Sequence, residues 1–369
     1  MYAFELLKQL YENQKQKIKN QKHILKNKKF FKIYLKEKPL NDLPKEKEWW
    51  QYKVIGPKYY WTQWRLPLEL YLAKSKPDIF FTPGHYAPRF SPIPTVISIM
   101  DLAFLRFPDQ FRKKDLYQLI NWTKYSVNNA SHIFTISEFS KKEIVHFYKY
   151  PEKKITVTYP GINKLKVKSQ KLKVSVESLK VKYKINKNYL LYIGTLQPRK
   201  NLIRLIEAFK KVASSQQPVA SNLKLIIAGK KGWMYEEIFN KVKQLRLEDK
   251  VIFTGYVSEE EKQALLKKAI AFILPSLYEG FGIPAIEAMQ AGCPVIVSRN
   301  SSLPEVGGEA AVYIENPQKT DSIQKSMQKM VKLTPRERNK LIEKGYQQAE
   351  KFSWENCARK TLNILLKLK

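Results

Sequence analysis

A chain of 369 residues predicts two domains, and 44% hydrophobic with 12% aromatic residues excludes wholesale disorder. A formal charge of +34 attracts phosphate in any form, unless it only records lysine written across every solvated face. Cys293 and Cys357 stand in unrelated contexts and exclude a disulfide scaffold, while His23, His85, His132 and His146 form no metal-spaced pair and Asp-x-Asp is absent.

Residues 3–18 set Phe4, Leu7, Leu10 and Tyr11 at helical spacing and predict a first helix. FFKIYL (30–35), DIFFT (78–82), PTVISI (94–99) and HIFTI (132–136) read as short buried strands, with a long helical pattern over 111–129 between the last two. KITVTYP (154–160) closes this half at Pro160–Gly161. Residues 164–184 differ: KLKV begins at 164 and again at 171, LKVK begins at 179, and eight lysines face one acid. Such a low-complexity stretch reads as an interdomain linker without chemistry. The second half is better punctuated. YLLYIG (189–194) leads to a helix from near Lys200, LKLIIAG (223–229) to one from Trp233, and KVIFTG (250–255) to one capped by Ser258. AFILPS (271–276) precedes a helix over 283–291, PVIVS (294–298) and AAVYI (310–314) follow, and helices over 318–332, 335–350 and 354–368 complete the chain. Strands alternating with helices imply parallel sheets, whose ligands bind at the strands' carboxyl ends.

Two segments carry chemistry. In LPSLYEGFGIPAIEAMQAGCPVIVS, Glu279 sits in a loop after a strand, followed by Gly280, Phe281 and Gly282, with Ile283 and Pro284 opening a helix that ends at Gly292. The glycines let backbone approach a ligand, and the helix start offers free N–H groups to an anion. Glu287 lies one turn into that helix, so two carboxylates are available to one hydroxyl-rich ligand. Each alone is an ordinary surface acid; their order makes the site. In YIGTLQPRKNLIRLIEAF, Gly194 ends a strand and Arg199 and Lys200 stand at the next helix mouth, where paired cations suit a diphosphate.

These segments resemble the family 4 retaining glycosyltransferases, with that family's E-x7-E signature at Glu279 and Glu287. GTLQPRKN is similar to its diphosphate loop and FTGYVSEEE to its nucleoside-binding turn, while PDIFFTPGHYAP, PTVISIMDLAFLRFPDQF and IFTISEFSKKEI resemble its acceptor-domain elements. The resemblance implies an α/β GT-B fold of two Rossmann-like lobes facing a cleft. Residues 1–163 would be the acceptor lobe, 185–350 the nucleotide-sugar lobe, and 351–369 a C-terminal helix packing back on the first lobe. It further implies that Glu287 holds the ribose and Glu279 the transferred sugar, with Phe281 and Gly282 beside it. Arg199 and Lys200 would neutralise the leaving diphosphate. Gly194, Thr195, Gly280, Ile283, Gly255 and Tyr256 would complete the donor site. The activity implied is hexosyl transfer with retention, onto a saccharide or lipid-linked acceptor in surface-glycan synthesis. GKKGWMYEEI (229–238) is similar to members that use GDP-mannose, so that donor is favoured over UDP-sugars, with no cofactor and no metal.

Three departures stand against the family pattern. Met100 precedes Asp101 where many members have His, and a thioether cannot donate to a hydroxyl; His85 is the candidate substitute. Thr195 replaces an Arg of some members. The chain begins at the helix that normally follows a first strand and glycine loop, which leads to the expectation of about 10–25 further residues upstream. No apolar run is long enough to span a bilayer, and MYAFELLKQL lacks the order of a signal peptide, so a cytosolic protein is expected. Lysines and aromatics in the first fifty residues, ending at Trp49–Trp50, point to peripheral contact with anionic lipid at the inner membrane face. The rivals are a basic nucleic-acid-binding protein, for which no zinc-finger, RRM or KH signature is present, a degenerate GT-B member, and a sugar-nucleotide epimerase. Intact Glu279 and Glu287 favour transfer, and a nucleic-acid partner is not expected.

Overall fold

A computed structural model describes residues 2–20, 30–162, 179, 182–183, 185, 188–215 and 222–368. The lysine-rich stretch 164–184 therefore lies largely outside the described residues. The chain divides into two compact units, residues 1–161 with 352–369 and residues 162–351.

In the first unit, the helix Tyr2–Asn20 is followed by strands β1 (Phe31–Leu35) and β2 (Trp50–Val54), which pair in parallel as a separate two-stranded sheet. Strands β3 (Phe80–Thr82), β4 (Thr95–Ile99), β5 (His132–Thr135) and β6 (Ile155–Val157) form a second parallel sheet in sequence order. Every residue of β4 and β5 is buried, Thr95, Ser98, His132 and Thr135 included, as in strands covered on both faces. Leu6, Leu10 and Tyr11 of the first helix pack with Trp49, Trp50, Trp354, Cys357 and Leu362, so the C-terminal helix Trp354–Lys367 shares this unit's core. That core corrects one expectation. Trp49 and Trp50 are buried, at 8% and 0% exposure, and are not available to a lipid surface. Strand β2 and the helical run 61–72 carry no clean period and were not legible.

The second unit is one parallel sheet in the order β12-β11-β10-β7-β8-β9. Its strands are β7 (Tyr189–Ile193), β8 (Lys224–Ala228), β9 (Val251–Gly255), β10 (Ala271–Leu274), β11 (Val295–Ser298) and β12 (Ala311–Ile314). The chain runs outward from β7 through β8 to β9, then returns to the other side of β7 and runs outward again from β10. The junction of β7 and β10 is therefore the topological switch point, the place at which ligands bind in open α/β sheets. The helix expected near Lys200 begins later. Pro198–Lys200 is a 3-10 turn, Asn201 is left-handed at φ 61°, and the helix runs Leu202–Ala213. The Asn201 amide explains the delay: its Nδ2 donates to Pro275 O at 3.0 Å and to Pro317 O at 2.6 Å, an arrangement a helical residue could not reach.

Candidate active site

The site is built from loops that leave β7, β8, β9 and β10 at their carboxyl ends. The loop after β7 is held against the loop after β8 by backbone bonds: Gly194 N–H donates to Ala228 O at 2.9 Å and Leu196 N–H to Lys230 O at 2.9 Å. The approach is so close that a Cβ on Gly229 would lie 1.9 Å from Gly194 O, at a φ of +149°. Only glycine fits there. Thr195 is exposed beyond this clamp, and the turn at Pro198–Lys200 presents Arg199 and Lys200. Leu277 N–H donates to Arg199 O at 2.9 Å, which ties the loop after β10 to the same place.

Glu279 lies at the centre of that second loop and is 9% exposed. Its Oε1 accepts from Lys200 Nζ at 2.6 Å and from Ser276 Oγ at 2.6 Å. Its backbone is fixed as well: Glu279 N–H donates to Ser301 Oγ at 3.0 Å, and Ser302 Oγ donates to the carbonyls of Glu279 and Phe281, each at 2.8 Å. Burial would raise the Glu279 carboxyl, but Lys200, Ser276 and Arg199 outweigh it and hold the pKa below the ordinary value. The result is a buried carboxylate that stays ionised.

Gly282, at φ +117°, turns the chain into the helix Ile283–Gln290, and a Cβ there would lie 2.8 Å from Leu303 Cδ2. Gly280 and Phe281 are buried, Ile283 half-buried. Glu287 projects from the helix to Lys262, with Nζ 2.9 Å from Oε1, and Lys262 also reaches Glu259 at 2.8 Å. Burial raises the Glu287 carboxyl above its ordinary value, Lys262 offsets only part of this, and Glu259 adds to the rise. On the β9 side, Gly255 takes φ +69° and Tyr256 is exposed, with Lys230 Nζ 4.9 Å from its ring centroid.

Arg199, Lys200 and Glu279 are thus brought into one cluster, and Glu287 is placed with Lys262. Sequence reading missed Ser276, Ser301, Ser302, Asn201 and Lys262. The serines of SRNSSLPE are a turn-forming cluster by composition, and only the pairing of β10 with β11 carries them to Glu279. Lys262 was one lysine among many until the fold set it beside Glu287. In the first unit, His85 Nε2 accepts from Met100 N–H at 3.0 Å, so His85 does stand beside the Met100–Asp101 backbone. Burial holds its pKa below the ordinary value, against the opposing charge of Asp101.

Parallel sheets in both units, with a charged cluster at a strand-order reversal in the second, define a two-domain α/β protein of the doubly wound kind. Residues 175–348 match the family described as glycosyl transferases group 1, and residues 41–164 match glycosyltransferase family 4. The chain is 32% identical over 78% of its length to O-antigen chain mannosyltransferase B of Escherichia coli, covering 74% of that protein. It is 33% identical over 64% of its length to the O-antigen chain mannosyltransferase RfbU of Salmonella typhimurium, covering 61% of it. Among solved structures it is similar to WaaG, a glycosyltransferase involved in lipopolysaccharide biosynthesis, with a TM-score of 0.65 at 16% identity over 97% of this chain and 95% of that one. The chain belongs to the family 4 glycosyltransferases of group 1, has the GT-B fold, and is a hexosyltransferase. A nucleic-acid-binding protein is not favoured by this membership.

Proposed function

We propose that the chain transfers mannose, with retention of anomeric configuration, from GDP-mannose to a saccharide or lipid-linked acceptor in surface-glycan synthesis. The observation that carries this reading is the buried Lys200–Glu279 pair beside Arg199, at the switch point between β7 and β10. Glu279, held ionised, accepts from hydroxyls of the sugar. Arg199 and the remaining donors of Lys200 face the diphosphate, with the backbone of Gly194, Thr195, Gly280, Phe281, Gly282 and Ile283 around it. Glu287 grips the ribose, and Gly255 and Tyr256 flank the base. In the reaction the bond from the anomeric carbon to the phosphate oxygen breaks and one to the acceptor oxygen forms. The acceptor proton passes to the departing phosphate. The protein's share is positioning and stabilisation of the charge that develops, which Arg199 and Lys200 supply without a cofactor or metal. The O-antigen mannosyltransferases it resembles support the sugar and the pathway class. No helix among the described residues is long and apolar enough to cross a membrane, and the charge of +34 supports work at an anionic inner membrane face.

The test is calorimetric titration with GDP and UDP, joined to a transfer assay with GDP-mannose. Glu287→Ala should weaken nucleotide binding by about 1.5–3 kcal/mol, the scale of a charged hydrogen bond. Unchanged affinity for both nucleotides would remove the ribose assignment, and transfer from UDP-sugars alone would remove the donor.

A further inference from the structure

Strand β3 is joined to β4 by the coil 83–94, which lies along the helix Lys113–Asn129 of the same unit. Ala87 N–H donates to Ser126 Oγ at 2.9 Å, Phe90 N–H donates to Tyr125 Oη at 2.9 Å, and Gln118 hydrogen-bonds the Tyr86 hydroxyl. On its other side the coil is fixed by Arg89 N–H, which donates to Thr62 O at 3.0 Å. Aromatic rings gather along this seam. Tyr86 and Trp122 meet edge-on at 5.4 Å between centroids, Phe90 and Tyr125 at 6.4 Å, and the Arg89 guanidinium lies 4.9 Å from the Tyr125 ring. The cavity between them, about 10 Å³, has room for one water, so a larger ligand would lie across the rings rather than between them.

The helix turns Leu116, Leu119, Ile120 and Val127 to the core. Tyr117, Asn121 and Tyr125, at spacings of four, stand on another face with Trp122 beside them. Tyr117 and Phe90 are exposed at 69% and 71%, and Phe90 is held there in the left-handed region at φ 50°. Scattered exposed aromatics need no explanation, but this row is also free of lysine in a chain with 67 lysines and arginines. No lysine stands between Lys76 and Lys113, nor between Lys114 and Lys124. Lysine written at random over solvated surface would not leave both walls of one seam bare. A lipid phosphate or a nucleic acid finds few cations here, since Arg89 is stacked on Tyr125. A neutral ligand fits: the C–H faces of a pyranose stack on aromatic rings, and its hydroxyls bond to amides such as Gln63, Gln118 and Asn121. The row from Tyr117 to Tyr125 spans about 12 Å of helix, enough for a short run of linked sugar rings.

The seam begins at the ligand-binding end of this unit's sheet. His85, next to Tyr86, accepts from Met100 N–H at the carboxyl ends of β3 and β4, the side on which ligands of open parallel sheets bind. We propose that Phe90, Tyr117, Asn121, Trp122 and Tyr125 form a binding site for a neutral oligosaccharide, the part of the acceptor glycan beyond the sugar that receives the new residue. The site makes the enzyme prefer an acceptor of several sugars over a single one. This rests on the acceptor being a saccharide, as proposed above.

The experiment measures binding of α-linked mannotetraose, maltotetraose and methyl α-mannoside to the full chain by saturation-transfer NMR and titration calorimetry. The variant is Phe90→Asn with Tyr117→Ala. Asparagine tolerates the left-handed backbone and alanine the helix, so melting temperature and GDP binding should stay at wild-type values. Wild type should bind at least one tetrasaccharide about tenfold more tightly than methyl mannoside, and the variant should lose that advantage. With GDP-mannose as donor, KM for the tetrasaccharide should rise about tenfold in the variant while kcat is unchanged. If no transfer occurs but the tetrasaccharide preference and its loss in the variant are seen, the donor reading falls and this site stands. Tetrasaccharides bound no better than methyl mannoside by wild type, or bound in full by the variant, overturn the site. A concentration-dependent dimer that dissolves in the variant, without glycan binding, also overturns it and assigns the face to a second copy.

Discussion

Lys262→Met isolates the pair that tertiary structure made. Glu287 and Lys262 side chains are 20% and 13% exposed and 2.9 Å apart, so removal of the cation leaves a largely buried carboxylate without its partner. Breaking buried pairs costs about 3–5 kcal/mol, and this partly exposed pair should fall near the lower end. For a unit of this size, where about 1 kcal/mol moves the melting temperature by roughly 2–4 °C, the loss is about 6–12 °C at neutral pH. The sign with pH is fixed by burial. The Glu287 pKa is already raised above its unfolded value, chiefly by burial, and Lys262 is what restrains it, with Glu259 pushing the same way as burial. Without Lys262 it rises further. A carboxyl whose folded pKa exceeds its unfolded one disfavours the fold increasingly as pH climbs past the unfolded value. The gap in melting temperature between variant and wild type should therefore widen from acid to mildly alkaline pH. GDP affinity should move the opposite way, falling in the variant as pH drops, because a protonated Glu287 no longer offers a charged acceptor to ribose. Lys262→Met with Glu287→Gln should recover most of the melting temperature. Differential scanning calorimetry and titration calorimetry across pH read both slopes. A pH-independent gap, or a double variant no more stable than Lys262→Met, would refute this account.

Other outcomes follow from the same geometry. Lys200→Met should destabilise the second unit by about 3–5 kcal/mol by stranding buried Glu279, and Lys200→Met with Glu279→Gln should be more stable than Lys200→Met alone, as chemical denaturation would show. Glu279 has its pKa held below the unfolded value, so its ionised form stabilises the fold above the ordinary carboxylate range and that contribution is lost as pH falls through the folded value. Melting curves of wild type and Glu279→Gln should converge in acid; a constant gap would contradict the assignment. Gly282→Ala should lower stability by about 1–2 kcal/mol from its positive φ alone, with the 2.8 Å approach to Leu303 adding to this, and an unchanged melting temperature would count against the turn as described.

Much of this protein was legible before any coordinates. The alternation of apolar strands with helices fixed parallel sheets, because a buried strand must be apolar on both faces and its crossover must be amphipathic. Glu279, Arg199 and Lys200 stood out as candidates because each follows a strand end shortly before a helix, and Glu287 because it lies one turn into such a helix, local events written in glycine and proline. Strand β2 was not, since WQYKV pairs polar and aromatic residues without a buried run, and its place depends on a partner nineteen positions away. Nor could sequence show that Trp49 and Trp50 are core while Trp64 is exposed, because a tryptophan's burial is set by what folds over it. Lys262 meets Glu287, and Ser301 meets Glu279, only through the packing of the second unit, across separations of about twenty to twenty-five residues. Sequence determines what is local and periodic; which lysine among so many meets which carboxylate was decided by the order of strands in the sheet.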